Sequence, residues 1–416
     1  MKVFDFFLNQ KRFDLIFKYL YVKYPQNHFA KVAYLENIRA FNGFFEENPS
    51  KNSAEDFIAS FDGLIASIKQ NGFVSNNVIP LGENGEIQDG AHRLSICAAL
   101  NIGVEMELRG GGQLYDYRFF KKRSMHEVVM DYGALEYVKL NPKAYIVNLH
   151  SVTDFMKDDA VYHILNTLGF VYYQKDIYLN FNGYVNLKKI SYGSAWENAQ
   201  WIGDVSNGFA GAQEHAKHSM GRSPLRVFVF VCDSLEKVLQ AKRAIRDIFK
   251  IGNFSVHIND THNEAIALAQ TFFNSNSLEI LNCRPFWLET KTLDNRMCEL
   301  IKLAKDKGIN IDNICGAGST PLNVCGLRES EDFDFLCSSN IEFKVKSHVL
   351  SNHDSELAYY PYSKDEIIND PRLYFYYNGL KFISLDILYL MKQKRNEQPK
   401  DVRDCHLIKY AKVQGV

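Results

Sequence analysis

The chain carries the sequence ICGAGSTPL at residues 314–322 and, after a short gap, EDFDFL at residues 331–336. One apolar residue separates Asp332 from Asp334. Alternate side chains of a strand point to the same face, so these two carboxylates are placed to share a divalent cation while the phenylalanines beside them pack into a core. The stretch therefore predicts a strand that carries a metal site on one face.

The turn just upstream contains the small residues Gly316, Gly318 and Ser319. Its backbone N–H groups can approach a phosphate closely, particularly where a helix begins. Taken alone, an Asp-x-Asp pair is typical of a solvated strand edge, and a Gly-Ser turn is common. At this spacing, the two together resemble the signature of the DNA polymerase beta-like nucleotidyltransferase superfamily, in which a Gly-Ser turn and a helix precede a strand with an Asp-x-Asp pair.

This resemblance continues towards the C-terminus. Residues 379–385 have the pattern of a strand that enters a helix. Lys392 and the sequence KDVRD at residues 400–404 are similar to the helix and the K-D-x-x-D tail of the smaller members of that superfamily.

The nucleotidyltransferase resemblance implies roles for specific residues. It implies catalytic carboxylates that also hold Mg²⁺, namely Asp332 and Asp334, and contacts to a nucleotide from Gly318, Ser319 and Lys392. The third carboxylate of that superfamily is not identified, because Asp386 and Glu356 are both candidates.

A second candidate site is the turn DGAHR at residues 89–93, which lies between a predicted short strand and a predicted helix. Gly90 exposes backbone donors, the helix N-terminus adds about half a positive charge, and His92 and Arg93 supply donors for phosphoryl oxygens. The carboxylate of Asp89 is suited to hold a metal or to take a hydroxyl proton. The alternative is that His92 and Arg93 only cap and brace the helix.

The order of elements around this turn resembles the ParB/sulfiredoxin-like nucleotide-binding fold. An amphipathic helix over residues 57–69 is followed by a strand, a turn, a second strand, D-G-x-H-R and a helix. Members of that fold bind a nucleoside triphosphate at this turn, and some are kinases of small molecules. The resemblance implies triphosphate contacts from Gly90, His92 and Arg93, with Asp89 as a catalytic residue. Such kinases also carry an early glutamate, for which Glu46 and Glu47 are both candidates.

The middle of the chain has no motif that identifies a family. Between residues 226 and 273 the pattern strand, helix, strand, helix predicts a parallel sheet with sites at the carboxyl ends of its strands. At one such end His257, Asp260 and His262 form a predicted substrate site. The alternative is that Asp260 or Thr261 caps the helix that follows.

Two further features of the middle region lead to predictions. Residues 172–187 alternate polar and aromatic positions, which predicts strands around a turn at Asn182 and Gly183. The segment 190–216 contains Trp196 and Glu197, and its length as a loop makes it a functional candidate.

The composition restricts the partners and the compartment. The 416 residues carry a net charge of −1, which gives no electrostatic case for nucleic acid or an anionic membrane as a partner. The 8 cysteines have neither Cys-x-x-Cys nor zinc-site spacing, so we expect reduced thiols and a cytoplasmic protein. No apolar run has the length of a membrane span.

We therefore expect a multidomain α/β and α+β protein. The predicted domains are a ParB/sulfiredoxin-like nucleotide-binding domain with an N-terminal helical extension (1–140), a middle α/β domain (141–290) and a nucleotidyltransferase-like domain (291–416). Both recognisable ends point to a transferase of phosphorus-containing groups, a small-molecule kinase or nucleotidyltransferase that uses ATP or CTP with Mg²⁺. A general likeness to proteins of capsule-type pathways implies a hydroxylated acceptor, a sugar or polyol of surface polysaccharide biosynthesis. The alternative is a nucleotide-binding sensor or regulatory module without turnover.

Overall fold

The computed structural model describes residues 2–48, 50–74, 78–193, 199–345, 347–397 and 399–413. The chain divides into two compact units, of which the first comprises Met1–Tyr145, Ala160–Gln174 and Phe228–Ala241. The second comprises Ile146–Asp159, Lys175–Val227 and Lys242–Val416. Residues 141–290, predicted as one middle domain, are therefore distributed over both units.

Helices make up most of the regular structure of both units. They are α1 (Val3–Leu8), α2 (Leu15–Lys23), α3 (His28–Asn42), α4 (Ala54–Asn71), α5 (Ala91–Leu100), α6 (Tyr117–Lys122), α7 (Glu127–Leu140), α8 (Asp158–Leu168), α9 (Phe181–Gly193), α10 (Ala210–Ser219), α11 (Leu235–Phe249), α12 (His262–Phe272), α13 (Ser275–Cys283), α14 (Lys291–Asp306), α15 (Thr320–Val324), α16 (Lys364–Asn369), α17 (Leu385–Arg395) and α18 (Lys400–Val413).

In the part of the chain that the structure describes, the strands form three small sheets. They are β1 (Ile79–Leu81), β2 (Met106–Leu108), β3 (Ala144–Leu149), β4 (Phe170–Ile177), β5 (Leu225–Val231), β6 (Val256–Ile258), β7 (Ile314–Gly316), β8 (Phe333–Cys337), β9 (Leu350–Asn352), β10 (Tyr374–Tyr377) and β11 (Leu380–Ile383). The sheet orders are β1-β2, β4-β5-β3-β6 and β10-β11-β7-β8-β9. This mixture of helices and sheets agrees with the predicted α/β or α+β class.

The elements around the turn at residues 89–93 follow from local sequence signals. Helix α4 begins where the Ser53 side chain accepts a hydrogen bond from the Asp56 N–H, and it ends at Gly72, whose φ is +72°. Its buried face carries Phe57 and Phe61, as the periodicity predicts. Strands β1 and β2 pair in parallel on either side of α5 in the sequence. The predicted strand at residues 86–88 is reduced to one bridge, between Leu81 and Ile87.

The C-terminal sheet positions the turn and the carboxylate pair of the opening stretch. Strand β7 pairs in parallel with β11 and antiparallel with β8, and β8 pairs in parallel with β9. Phe333 and Phe335 are fully buried, whereas Asp334 between them is partly exposed. The apolar face of β8 is therefore fixed in the core, and the other face presents the carboxylate.

Several sequence-based predictions for the middle of the chain are wrong. Residues 181–193 form helix α9, so Asn182 and Gly183 lie inside a helix instead of at a hairpin turn. The side chain of Asn182 donates to the carbonyls of Asn282 and Arg284, which gives α9 a polar partner that no local pattern reveals. The predicted parallel sheet is also incorrect, because β6 runs antiparallel to β3.

The predicted long loop over residues 190–216 is largely ordered. Its described part contains the end of α9, the 3-10 helices Gln200–Ile202 and Val205–Asn207, and the start of α10. Trp196 and Glu197 lie outside the described residues. Among the helices of the described ranges, none combines the length and apolar character needed to cross a membrane.

Candidate functional site

The turn between β7 and α15 forms hydrogen bonds with the backbone of β8, the strand that carries Asp334. The Ala317 N–H donates to the Asp334 carbonyl oxygen at 2.8 Å, and the Asp334 N–H donates to the Thr320 hydroxyl at 3.2 Å. Gly318 has a φ of +56°, and a Cβ atom on it would lie 2.0 Å from Oδ2 of Asp334. Only glycine fits at this position, because the carboxylate occupies the space where a side chain would begin.

Asp332 and Asp334 form a pair of like charges at this turn. The Asp334 side chain is 14% exposed, and Asp332, just before β8, is half-buried. Burial, and next the negative charge of Asp332, raise the pKa of Asp334 to about 7. Such a pair is stabilised by a cation that both carboxylates approach.

A histidine completes the near surroundings of Asp334. His353 follows β9, and its Nε2 lies 3.7 Å from Oδ2 of Asp334. Its Nδ1 lies 3.1 Å from the hydroxyl of Tyr360, and that hydroxyl oxygen accepts a bond from the Gly318 N–H at 3.4 Å. Burial lowers the pKa of His353 to about 4, so the imidazole is neutral at pH 7. No sequence motif pointed to His353, although its position directly after a strand was a usable signal.

The two candidates for a third carboxylate occupy different environments. Glu356 accepts a hydrogen bond from Arg395 at 3.0 Å. Asp386 is exposed in the first turn of α17. The side chain that does lie next to Asp334 is that of His353, which directly follows β9, the strand paired with β8.

Lys392, a predicted nucleotide contact, lies inside an ion-pair network. Its amine is 3.0 Å from Asp401 and 3.1 Å from Asp404, and all three side chains are at most 2% exposed. Arg395 also binds Asp401, and Arg328 forms a two-pronged pair with Asp404. A nucleotide contact from Lys392 would require both of its ion pairs to break, so its observed role is to hold α17 against α18.

A cavity of about 450 Å³ lies beside this network. Its lining residues are Arg328, Glu329, Glu331, Pro399, Lys400, Arg403 and Asp404. Lys400 and Arg403 are exposed and three residues apart on α18, so they point to the same side of the helix. The charge of Lys400 acts on Asp334 and favours its ionised form. The cavity therefore offers cations for phosphate oxygens close to the carboxylate pair. No sequence motif pointed to Arg328 or Arg403 as members of this site.

The turn at residues 89–93 is built differently. Gly90 has a φ of +82° and directly precedes α5. Arg93 is 19% exposed and lies 3.3 Å from Asp89, whose side chain is 81% exposed. The guanidinium of Arg12 donates to the carbonyls of Ile87 and Gln88, and it thereby braces the turn from within the first unit.

His92 packs against aromatic side chains of the first unit. Its Nε2 lies 3.2 Å from the Tyr34 hydroxyl, and its ring stands edge-on to Phe61 at a centroid distance of 4.7 Å. Burial lowers the pKa of His92 well below its ordinary value, so the ring is neutral at pH 7.

The two early glutamates differ in position. Glu46 is paired with Lys51 at 2.7 Å, and the charges of both act on the Tyr34–His92 pair. Glu47 is exposed in a turn. Of the two, Glu46 is the one whose charge acts on Tyr34, the partner of His92, and no sequence motif pointed to its partner Lys51.

The predicted substrate site in the middle region is occupied by internal contacts. Nε2 of His257 lies 2.7 Å from Glu264, and both side chains are buried. Asp260 pairs with Lys242 at 3.1 Å. Thr261 caps α12 by accepting from the Glu264 N–H, which is the alternative the sequence allowed, and His262 is the first residue of that helix.

Within the described ranges, no group of three or more His, Cys, Asp or Glu side chains converges as a metal site would require. The pair at residues 332 and 334 is thus a two-carboxylate arrangement. In comparisons with known proteins, the chain matches no family model, no curated protein and no solved structure.

Proposed function

We propose that the chain is a transferase of phosphorus-containing groups that uses a nucleoside triphosphate and Mg²⁺ at the carboxylate pair of the second unit. The observation that carries the proposal is the position of Asp334, which packs against Gly318 and next to Asp332. A turn that requires glycine at position 318 therefore contacts a pair of carboxylates whose negative charges repel each other.

The side chains fit a magnesium ion. Mg²⁺ is commonly bound by one or two carboxylates, with water and substrate phosphates as the other ligands. Asp332 and Asp334 would hold it, and the shared negative charge that raises the pKa of Asp334 is the charge that a cation neutralises. When bound, the ion would neutralise charge that develops on the phosphate oxygens.

The exposed cations of the cavity supply the rest of the phosphate site. Lys400 and Arg403 would bind triphosphate oxygens, and Arg403 is suited to a two-pronged contact. The buried ion pairs of Lys392 would fix the helix that carries both side chains. In a nucleotidyl transfer, the acceptor oxygen forms a bond to the α-phosphorus while the bond to pyrophosphate breaks. In a kinase reaction, the bond forms to the γ-phosphorus and the nucleoside diphosphate leaves.

The acceptor is proposed to be a small hydroxylated molecule, a sugar or polyol of surface polysaccharide biosynthesis. The size of the cavity, about 450 Å³, lies within the range of small-molecule sites. The net charge of −1 is consistent with small partners in preference to nucleic acid.

The first unit is proposed to contribute a second nucleotide site at residues 89–93. Its support is the cluster of Glu46, Lys51 and His92 close to this turn, with Arg93 partly exposed beside Asp89. In this proposal Arg93 and Lys51 contact phosphate oxygens, and Asp89 or Glu46 orients the acceptor hydroxyl if this turn also carries out a transfer.

A binding module without turnover is the second candidate function. The observation that favours it is His353, a neutral imidazole directly after β9 and 3.7 Å from Asp334. Nucleotide binding would survive with two carboxylates, whereas transfer would lack a third acidic group.

Calorimetric titration of the full chain with ATP, CTP and GTP, with and without Mg²⁺, tests the binding step. The variants are Asp332→Asn/Asp334→Asn and, as a matched control, Asp306→Asn, which removes an exposed carboxylate at the end of α14. We expect the double variant to lose one Mg²⁺-dependent nucleotide site and the control to retain it. Equal Mg²⁺-dependent binding by wild type and the double variant would remove the carboxylate pair from the function.

Product analysis with a panel of sugars and polyols then separates the two candidates. Acceptor-dependent pyrophosphate release indicates nucleotidyl transfer, and acceptor-dependent nucleoside diphosphate indicates a kinase. Slow hydrolysis that every acceptor leaves unchanged would favour the binding module.

A further inference from the structure

A cluster of buried polar side chains in the second unit is not used by the proposed function. Asn148 lies in β3, and His150 directly follows that strand, where its N–H donates to the Ser255 carbonyl oxygen. The two residues are two positions apart, so their side chains point to the same side of the sheet. His257 stands opposite Asn148 on β6. Lys188 on α9 and His215 on α10 reach the same cluster, because the charge of Lys188 acts on both His150 and His215.

The cluster contains hydrogen-bonding atoms without partners. Nζ of Lys188 lies 2.8 Å from Nε2 of His150, its one hydrogen-bond partner in the described part of the chain. A protonated lysine amine can only donate, so when Lys188 is charged Nε2 accepts this bond and Nδ1 of the same ring carries the proton. Within the described residues, that Nδ1, both amide atoms of Asn148 and Nε2 of His215 have no partner.

These side chains are isolated from water, so the missing partners matter. Asn148 is 0% exposed, and His150 and Lys188 are each 1% exposed. A buried donor without an acceptor costs about 1–3 kcal/mol, and more for a charged group. Folded proteins therefore rarely leave several such donors together unless a ligand or ordered water completes them.

The carboxylate beside the cluster is already engaged. The carboxylate of Glu264, beside His257, already accepts bonds from His257 at 2.7 Å and from the Asp260 N–H at 3.1 Å. In the described residues Lys188 has no ion pair with a carboxylate, and burial lowers its pKa well below the ordinary value. The unmatched groups are thus an amine, an imidazole N–H and an amide N–H.

Aromatic rings enclose one side of the cluster. Tyr192 and Trp201 contact the ring of His215 at centroid distances of 5.6 and 5.5 Å, and Tyr192 also contacts His257 at 4.9 Å. Such apolar walls reduce the local dielectric constant and strengthen the attraction between an anion and a buried cation.

We propose that Lys188, His150 and Asn148 bind a small oxyanion, a carboxylate or phosphate group, whose oxygens accept from Nζ, from Nδ1–H and from the amide N–H. Asn148 belongs to β3, His150 directly follows β3 and Lys188 belongs to α9, whereas Asp334 lies in β8 and Asp332 just before it. This site is therefore independent of the proposed triphosphate site.

The competing explanation is a purely structural hydrogen bond between Lys188 and His150. The substitution Lys188→Met distinguishes the ligand-binding explanation from the structural one, because methionine has a similar length and no charge. If the lysine serves a ligand, its replacement removes an uncompensated buried amine, and the ligand-free protein retains its melting temperature or gains stability. Asn148→Leu is a second variant of similar volume that removes the unpartnered amide.

The experiment measures the melting temperature of the full chain against increasing sodium phosphate or sodium acetate, with sodium chloride at equal ionic strength as the reference. The matched control is Lys217→Met, which removes an exposed lysine on α10. A separate variant, Lys400→Met, measures how much of the phosphate response comes from the cavity at α18. We expect phosphate or acetate to stabilise wild type and Lys217→Met equally. Lys188→Met and Asn148→Leu should weaken the apparent affinity by roughly 10- to 100-fold, the effect of losing a charge-assisted or buried hydrogen bond.

Two outcomes would overturn the proposal. Equal responses of wild type, Lys188→Met and Asn148→Leu would place the anion elsewhere. No response of wild type to either anion, beyond that to sodium chloride, would mean that the cluster holds only water. Which of the two anions acts at lower concentration identifies the group as phosphate or carboxylate.

Discussion

The carboxylate of Asp334 lies directly against the Cα of Gly318, where the Cβ of any other residue would come within 2.0 Å of Oδ2. The turn that contains Gly318 and the strand that contains Asp334 are therefore in direct contact, although the two residues are 16 positions apart in the sequence. A side chain therefore cannot be added at position 318 without moving the carboxylate of Asp334.

Gly318→Ala should displace Asp334 and weaken Mg²⁺-dependent nucleotide binding by about tenfold or more, because the ligand geometry is lost. The left-handed backbone adds a cost of about 1–3 kcal/mol in unfolding free energy. Gly308→Ala is the matched control, since Gly308 has a similar φ of +67° with nothing within 4 Å of its Cβ position. Calorimetry and urea unfolding measure both effects. Equal nucleotide binding by the two variants would show that the contact with Asp334 has no part in the site.

Asp334→Asn and Phe335→Ala should have opposite effects, although the residues are neighbours. Asn at position 334 removes a buried like charge, so stability should be retained while Mg²⁺-dependent nucleotide binding is lost. Phe335 is fully buried and its ring contacts Phe343 at 5.4 Å, so its truncation should cost about 3–5 kcal/mol. Thermal unfolding without Mg²⁺ measures the stability of each variant. A destabilised Asp334→Asn protein would assign that carboxylate a structural role.

Asp401→Asn should destabilise the protein in a pH-dependent way. Burial would raise the pKa of Asp401, but hydrogen bonds from Arg395 and Lys392 outweigh it and lower the pKa to about 2. A carboxyl with a depressed pKa stabilises the fold above its ordinary pKa, and this stabilisation is lost as the pH falls towards the depressed value. We expect a loss of about 3–5 kcal/mol at pH 7, the usual cost of breaking a buried ion pair.

The difference between wild type and Asp401→Asn should then shrink from about pH 4 towards pH 2. Urea unfolding across this range measures it, with the exposed Asp306→Asn variant as control. A difference that stays constant with pH would show that the charge of Asp401 is not what stabilises the fold.

Arg93→Ala should lower the affinity of the first unit for a triphosphate by about 1.5–3 kcal/mol, the value of a hydrogen bond to a charged group. The measurement uses the Asp332→Asn/Asp334→Asn background, so that the proposed site of the second unit is silent. Arg109→Ala is the control, because Arg109 is exposed and pairs only with Glu107 among the contacts described. Unchanged nucleotide-induced stabilisation in Arg93→Ala would leave Arg93 as a brace for α5.

Local sequence patterns determined those parts of the protein in which near neighbours along the chain decide the structure. The amphipathic pattern over residues 57–69 predicted a helix, and these residues lie within α4 (Ala54–Asn71). The alternation at residues 333–335 placed two phenylalanines inside and one carboxylate outside, because successive side chains of a strand point to opposite faces.

Other features depend on partners that are distant in the sequence. The alternation over residues 172–187 predicted strands, and residues 172–177 do lie in β4. From residue 181 onward the chain instead forms a helix whose asparagines bind carbonyls about 100 residues away. Lys392 has the position of a nucleotide contact, but two aspartates from the next helix neutralise it. Only the tertiary structure decides which charges meet, since burial and pairing depend on the packing of whole elements.

In the candidate site, too, some features follow from the local sequence and others depend on partners that are distant in the sequence. The Asp-x-Asp pair and the glycine turn were visible in the sequence because each is local. The contact of Gly318 with Asp334, the approach of His353 and the unpartnered cluster around Lys188 were not visible, because they arise where strands and helices from separate parts of the chain come together. Periodicity specifies which face of an element is buried, and the fold alone specifies what that face meets.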